Sequence, residues 1–276
     1  MISGSLARNR NFFALLLLLM SGMITWADDG LHVAAMLGKA QPANQLLVSG
    51  NACGPTSLLN SFRFGNQDWQ RALLAVSGEN DKQRILTIIR EIGMRPSKYL
   101  TGRPRWSRKG INIADLCDMG NEMTRGQMLP IISQEVFIAK AREGQQALLS
   151  RVHQRLARSL QKGLPPIVSL RRYVLRASGG NPTPQWVVLE AHFITLVSLP
   201  KKLERGAQSF AVQYIDPWGG KMHQGEIAIP EQAVLTEVGT PSPCLIAQFP
   251  NLSVGRKLVK KGEVSYVVVS AGLGRW

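Results

Sequence analysis

The chain has only three cysteines and four histidines in 276 residues. So few thiols exclude a disulfide-built scaffold. None of His32, His153, His192 or His223 stands at metal-ligand spacing to a partner, so no metal site is expected. A Gly-x-Ser-x-Gly elbow, a phosphate loop and a dinucleotide fingerprint are all missing, and no cofactor is expected. Negative charge is scarce as well: 18 acidic residues face 33 lysines and arginines, for a formal charge of +15. Such an excess suits nucleic acid, anionic lipid or an acidic envelope polymer. The basic residues are scattered, however, with Arg103, Arg105, Arg108 and Lys109 in one group, Arg171 and Arg172 in another, and Lys257, Lys260 and Lys261 in a third. No zinc-finger spacing, RNA-binding signature or basic heptad accompanies them, so no specific nucleic-acid partner is predicted. An anionic envelope surface stays open as a partner, and nothing in the sequence fixes the oligomeric state.

Long apolar runs are absent after the first 27 residues. Arg8 and Arg10 precede a run from Phe12 to Ile24 that holds five leucines, Leu15 to Leu19, and closes on Thr25-Trp26-Ala27 before Asp28-Asp29. The run is short for a membrane span. A basic start, an apolar middle and a small residue at the end predict a signal peptide over 1–27, cut after Ala27, with an uncleaved anchor as the alternative. The protein is then exported, periplasmic or secreted. Loss of Arg8 and Arg10 lowers the formal charge from +15 to +13. Residues 28–276 contain no Pro/Ser-rich linker, low-complexity tract or repeat, which predicts a single domain. In an oxidising compartment Cys117 and Cys244 are the candidates for a disulfide, leaving Cys53 as the odd thiol; both fit equally well as buried free thiols.

What is present begins with Asn51-Ala52-Cys53-Gly54-Pro55-Thr56-Ser57. Pro55 suits a first helical position, and Leu58, Leu59 and Phe62 then give an apolar face, which predicts a helix to Phe64. Cys53 would sit at its mouth, where the helix dipole and unpaired N–H groups favour a nucleophilic thiolate; the bland alternative is a cysteine packed as a small hydrophobe. A helical region from Asp68 to Ile92 follows, broken near Ser77-Gly78. Tyr99 to Lys109 reads as an exposed basic loop, Ile111 to Met123 as amphipathic, and Ala141 to Gln161 as the clearest long helix, ended by Gly163 and Pro165. Residues 31–50 look irregular.

The second half reads as strands: Pro166–Val174, Trp186–Leu199, Ser209–Ile215, Glu226–Ile229, Cys244–Phe249 and Ser265–Ser270, punctuated by Gly and Pro. Helices first and antiparallel strands second predict an α+β fold, an N-terminal helical layer packed on a C-terminal antiparallel sheet. If the strands from His192 and to Asp216 form a hairpin with Leu199 opposite Ser209, His192 falls opposite Asp216 and the two side chains share a face. A shift by one residue would separate them; a shift by two would keep them within reach. Alone, His192 reads as a structural histidine, and Asp216 before Pro217-Trp218-Gly219-Gly220 as a turn former. Together with Cys53 they complete a nucleophile, a base and an orienting carboxylate. The backbone N–H of Cys53 would serve as one oxyanion donor. His153, between Arg151 and Arg155, is expected on a solvated helix face.

Asn51-Ala-Cys-Gly-Pro-Thr-Ser57, the run His192-Phe-Ile-Thr-Leu-Val197, the turn Tyr214-Ile-Asp-Pro-Trp-Gly-Gly220 and the lead-in Leu160 to Val168 resemble the papain-like cysteine peptidases of the bacteriocin-processing type and their exported relatives. The resemblance covers residues 45 to 220. It implies a papain-like fold and a Cys53–His192–Asp216 triad acting on a peptide or protein substrate. The chain departs from the pattern at Leu47, where that family carries an oxyanion-donating glutamine six residues before the cysteine. Gln45 and Asn51 are the replacement donors. The absence of transporter segments argues against leader cleavage coupled to export. The expected activity is hydrolysis of a peptide or isopeptide bond. An acyl or γ-glutamyl transferase using the same triad is one alternative, and a non-catalytic envelope-binding module is the other.

Overall fold

The computed structural model describes residues 30–178, 181–232, 234–237, 240–255 and 258–276, so the signal sequence read at 1–27 lies outside the described residues. In chain order the elements begin with β1 (Leu31–Val33), a 3-10 turn (Gln45–Leu47), α1 (Cys53–Phe64), α2 (Gln67–Gln70), a 3-10 turn (Arg71–Ala75), α3 (Asp81–Thr87) and a π-turn (Ile88–Gly93). Next come β2 (Trp106–Ser107), β3 (Gly110–Ile111), α4 (Ile113–Met123), β4 (Ser133–Val136) and α5 (Gln145–Gln161). The strands β5 (Ile167–Ser178), β6 (Asn181–Pro200), β7 (Ser209–Asp216), β8 (Lys221–Ala228), β9 (Leu235–Glu237), β10 (Thr240–Ser242), β11 (Ile246–Gln248) and β12 (Ser265–Gly274) complete the chain. Helix and sheet are both present, as the α+β reading expected. Among the described residues no helix is long and apolar enough to cross a membrane.

The sheet is more closed than the sequence suggested. Strands β6, β5, β12, β11, β8 and β7 pair antiparallel in that order, and β7 pairs back onto β6, so the six form a ring. Two strands from the first half join it: β1 pairs with the end of β6, and β4 with β12. The segment 31–50 is therefore not irregular throughout, and the sheet is not purely C-terminal.

Two main cores flank this ring. In the first, Leu149, Val152 and Leu156 of α5 pack with Ile194, Leu196, Val212, Tyr214 and Val269 from the strands. In the second, Leu58, Leu59 and Phe62 of α1 pack with Ile85, Leu116 and Met119, and with Ile167, Phe193 and Leu273 from the sheet. Leu58, Leu59 and Phe62 are fully buried, each contributing about 1.5–3 kcal/mol. The helix expected from Pro55 starts at Cys53, and its burial is not confined to one apolar face, for only Arg63 of its side chains is not buried. Its polar residues survive there by bonding outward. Asn60 Oδ1 accepts from Ala43 N at 2.7 Å and Ser61 Oγ donates to Pro165 O at 2.5 Å, as buried polar groups must.

Two further expectations need correction, and one open alternative is decided. The candidate disulfide is absent: Cys53, Cys117 and Cys244 are all free and buried. Cys117 belongs to the second core, while Cys244 belongs to a third cluster with Ala228, Val234, Ile246 and Val268, so the fold carries them to different places. Burial pushes the Cys117 thiol up to about 11 and raises that of Cys244. His153 is not on a solvated face; it is buried, its Nε2 lies 2.8 Å from Pro200 O, and its ring meets Phe210 edge-on. Desolvation lowers its pKa, against the pull of that carbonyl. Finally, the loop from Tyr99 to Lys109 is only partly exposed. Arg105 and Trp106 are buried, and Arg105 Nη1 donates to Glu122 Oε2 at 2.6 Å.

Candidate active site

The N-terminus of α1 opens into a cleft between the helices and the strand ring. Ala52, the residue before the helix, has no side chain that caps it. The backbone N–H groups of Cys53 and Gly54 thus make no hydrogen bond among the described residues, the usual condition of an uncapped first turn. Gly54 is required by close approach, since a Cβ there would lie 2.5 Å from Ile111 Cγ2 and 3.2 Å from Leu116 Cδ1. That contact sets α1 tightly against β3 and α4.

His192 comes from β6, whose alternation divides its neighbours between the cores: Phe193 packs with the helices and Ile194 with the strands. Thr195 Oγ1 donates to Ser57 O at 3.1 Å, tying the strand to α1 one turn beyond Cys53. Asp216 ends β7. The register of β6 and β7 differs from the expected one. Thr195 opposes Ile215 and Leu196 opposes Tyr214, a shift of two residues, and a bulge follows before Ser198 meets Gln213. Leu199 is thus not opposite Ser209, and pairs instead with His32 of β1. A two-residue shift preserves the face, and the carboxylate still reaches the ring: His192 Nε2 lies 2.8 Å from Asp216 Oδ1.

Asp216 is held on three sides. Its Oδ1 also accepts from Trp218 N at 2.8 Å, and its Oδ2 accepts from Ser253 N at 3.2 Å. The Asp216–Trp218 contact is the turn-forming bond that Asp-Pro sequences favour. Asp216 therefore forms the turn and receives the histidine at once, and the two readings of it are not rivals. The imidazole lies between this carboxylate and the Cys53 thiol. Burial opposes its charge, but hydrogen bonds to Asp216 and Cys53, together with their charges, outweigh that and push His192 up to about 9. Cys53, His192 and Asp216 are 2%, 4% and 1% exposed.

Gln45 and Asn51, the two residues expected as alternative oxyanion donors, both line the cleft. The 3-10 turn Gln45–Leu47 takes up the two extra residues: Gln45 is buried and lines the cleft, while Leu47 is 44% exposed. Gln45 is fixed by its backbone N–H, which donates to Pro217 O at 2.8 Å, and by Gly219 N donating to Asn44 Oδ1 at 3.1 Å. Its Oε1 has no hydrogen-bond partner among the described residues, and a half-turn of the carboxamide exchanges that oxygen for two N–H donors. Asn51 also lines the cleft, but its Oδ1 accepts from Cys53 Sγ at 3.0 Å.

The cleft encloses about 690 Å³. Arg108, Lys109, Ile111, Leu189, Glu190, Trp218 and Ser253 are among its lining residues. Family models, curated proteins and solved structures yield no match to this chain. The site accordingly stands on its own geometry. His223 opposes Tyr214 in the β7–β8 ladder, and His32 lies in β1. No group of three His, Cys, Asp or Glu side chains able to hold a metal occurs among the described residues.

Sequence reading missed Ser253 as a donor to Asp216 and gave no place in the cleft to Trp218, Glu190 or the Arg108–Lys109 pair. Trp218 was within reach, because Asp-Pro-Trp announces a turn. Ser253 carries no local signal, for its N–H meets Asp216 only through the closed ring.

Proposed function

We propose that this chain is a papain-like thiol hydrolase that cleaves a peptide or isopeptide bond. The reading rests on one observation: a buried imidazole bonded to Asp216 on one side has a helix-mouth thiol on the other. In this reading Cys53 Sγ attacks the substrate carbonyl carbon after its proton passes to His192, and the carbonyl π pair moves to oxygen. The N–H of Cys53 and the Gln45 carboxamide receive that oxyanion. His192 then gives its proton to the departing amine as the C–N bond breaks. Water, deprotonated by His192, cleaves the thioester and returns the thiol. Asp216 keeps the ring oriented throughout. The family resemblance and the signal peptide expected at 1–27 are consistent with this role outside the cytoplasm, and peptide or protein is the substrate class.

The test is labelling of purified protein with an electrophilic epoxide peptide probe at neutral pH. Rapid modification of Cys53, lost in Cys53→Ala and slowed at least about a hundredfold in His192→Ala, is the expected result. Equal labelling of wild type and His192→Ala would refute the triad. Product analysis with added glycinamide distinguishes hydrolysis from acyl transfer.

A further inference from the structure

Two cations line the cleft beside Cys53 and outnumber its one lining glutamate. Arg108 and Lys109 form the tip of the β2–β3 hairpin and line the wall beside Cys53. Glu122 pairs with Arg95 and Arg105, Asp118 with Lys98, and Asp81 with Arg63, so none of these carboxylates is paired with the two cations. Neither Arg108 nor Lys109 forms an ion pair among the described residues. Glu190 is the carboxylate that lines the same cleft, so Arg108 and Lys109 outnumber it two to one. The cleft therefore carries a positive field, which low-dielectric walls concentrate.

These cations are also held in place. Asn51, two residues before the thiol, donates its N–H to Arg108 O at 3.1 Å, and its carbonyl accepts from Trp106 Nε1 at 2.9 Å. Lys109 N donates to Ser107 Oγ at 3.3 Å. Gly50 turns at φ +87°, and a Cβ there would sit 3.3 Å from Trp106 Cζ2 and 3.4 Å from Arg108 Cα. The hairpin is thus clamped flat on the segment that delivers the nucleophile, which fixes the backbone from which both cations project.

We infer that the cleft takes an acidic peptide, one whose side-chain or terminal carboxylate lies beside the bond offered to Cys53 and is bound by Arg108 and Lys109. The bond cleavage in this statement rests on the thiol-hydrolase reading; the anion subsite does not. Exposed charge pairs contribute modestly, so the two cations together should favour an anionic group by between about threefold and tenfold at low salt.

Alkylation of Cys53 reads this directly. Iodoacetate carries a carboxylate and iodoacetamide does not, and the ratio of their rates reports the field at the thiol. The ratio should fall about three- to tenfold in the double variant Arg108→Gln, Lys109→Gln and stay at the wild-type value in Arg108→Lys. His192 is common to all three proteins and cancels. A ratio unchanged in the double variant overturns the inference. If neither reagent modifies Cys53 in wild type, the hydrolase reading fails on its own. The subsite is then decided with Cys53→Ala protein and a dye-labelled amidated peptide bearing one aspartate, followed by anisotropy. Weaker binding of that peptide by the double variant, with its asparagine twin unaffected, upholds the subsite; equal affinity for the aspartate peptide overturns it.

Discussion

Raising the pH from neutral to strongly alkaline should remove the stabilisation stored in the proton on His192. The group's ordinary pKa of 6.5 rises in the fold to about 9, because Asp216 and Cys53 outweigh the burial that opposes its charge. Between those two values the native state holds a proton that the unfolded chain has released. Stability is therefore fully present below about pH 6.5 and is lost as pH climbs through the folded value. At about 1.4 kcal/mol per pKa unit, the whole effect is on the order of 3 kcal/mol. Urea denaturation of wild type and Asp216→Asn at intervals across this range isolates it. Asparagine keeps an oxygen for Trp218 N but removes the charge that holds the proton. Cys117 and Cys244 also resist deprotonation and lower stability at high pH in the same sense, but they do so in both proteins and drop out of the difference. Wild type should lead the variant most at the acid end, and its lead should shrink across the window by the share of that effect that Asp216 supplies, on the order of 1–3 kcal/mol. A lead that stays constant with pH would refute the assigned imidazolium.

Gln45→Ala should lower kcat by about a hundred- to a thousandfold with KM little changed, the mark of an oxyanion donor. Asn51→Ala should cost less, since its oxygen is occupied by the thiol; a larger loss at Asn51 in steady-state kinetics would reverse the assignment. Gly163 adopts φ +78°, and a Cβ there would run into the Asn66 side chain, whose Oδ1 accepts from Trp69 N to cap α2. Gly163→Ala should therefore cost about 2 kcal/mol in urea unfolding, combining backbone strain with a lost cap. Iodoacetamide added to the denatured, unreduced protein should modify three thiols by intact mass, and reductant should leave Tm unchanged, because all three cysteines are free.

Much of this site could be read from single segments. Pro55 and the following apolar residues located α1 to within two residues, and the hairpin supposed between the strands of His192 and Asp216 is present as the β6–β7 pair. The register was misjudged because the loop 201–208 and the bulge near Val197 take up residues that an ideal hairpin would pair, and nothing local marks the bulge. The two-residue error left the face unchanged because side-chain direction repeats every two residues. Gln45 was ambiguous for a related reason: its reach depends on the 3-10 turn, which Asn44 stabilises by accepting from Leu46 N at 2.9 Å. Cysteine pairing stays open in the sequence because compartment and parity say nothing of distance, and the fold decides it for the free thiols. His153 was misplaced because two flanking arginines suggested solvent, whereas α5 buries it against Phe210. Ring closure lay furthest from the sequence, since it depends on the short ladder between β6 and β7.

On the thiol-hydrolase reading, that ladder places the reaction on a seam. The thiol belongs to the helical core, and the residue after the imidazole belongs there too, yet the next one along β6 is anchored in the core on the other side. The distance between sulfur and ring is accordingly a property of how two separately packed bodies meet, and neither body fixes it alone. Heat or denaturant that loosens only this junction would leave both cores largely intact and the chemistry already gone. The protein's working limit would then be set by the fit of the seam, below the temperature at which the chain unfolds.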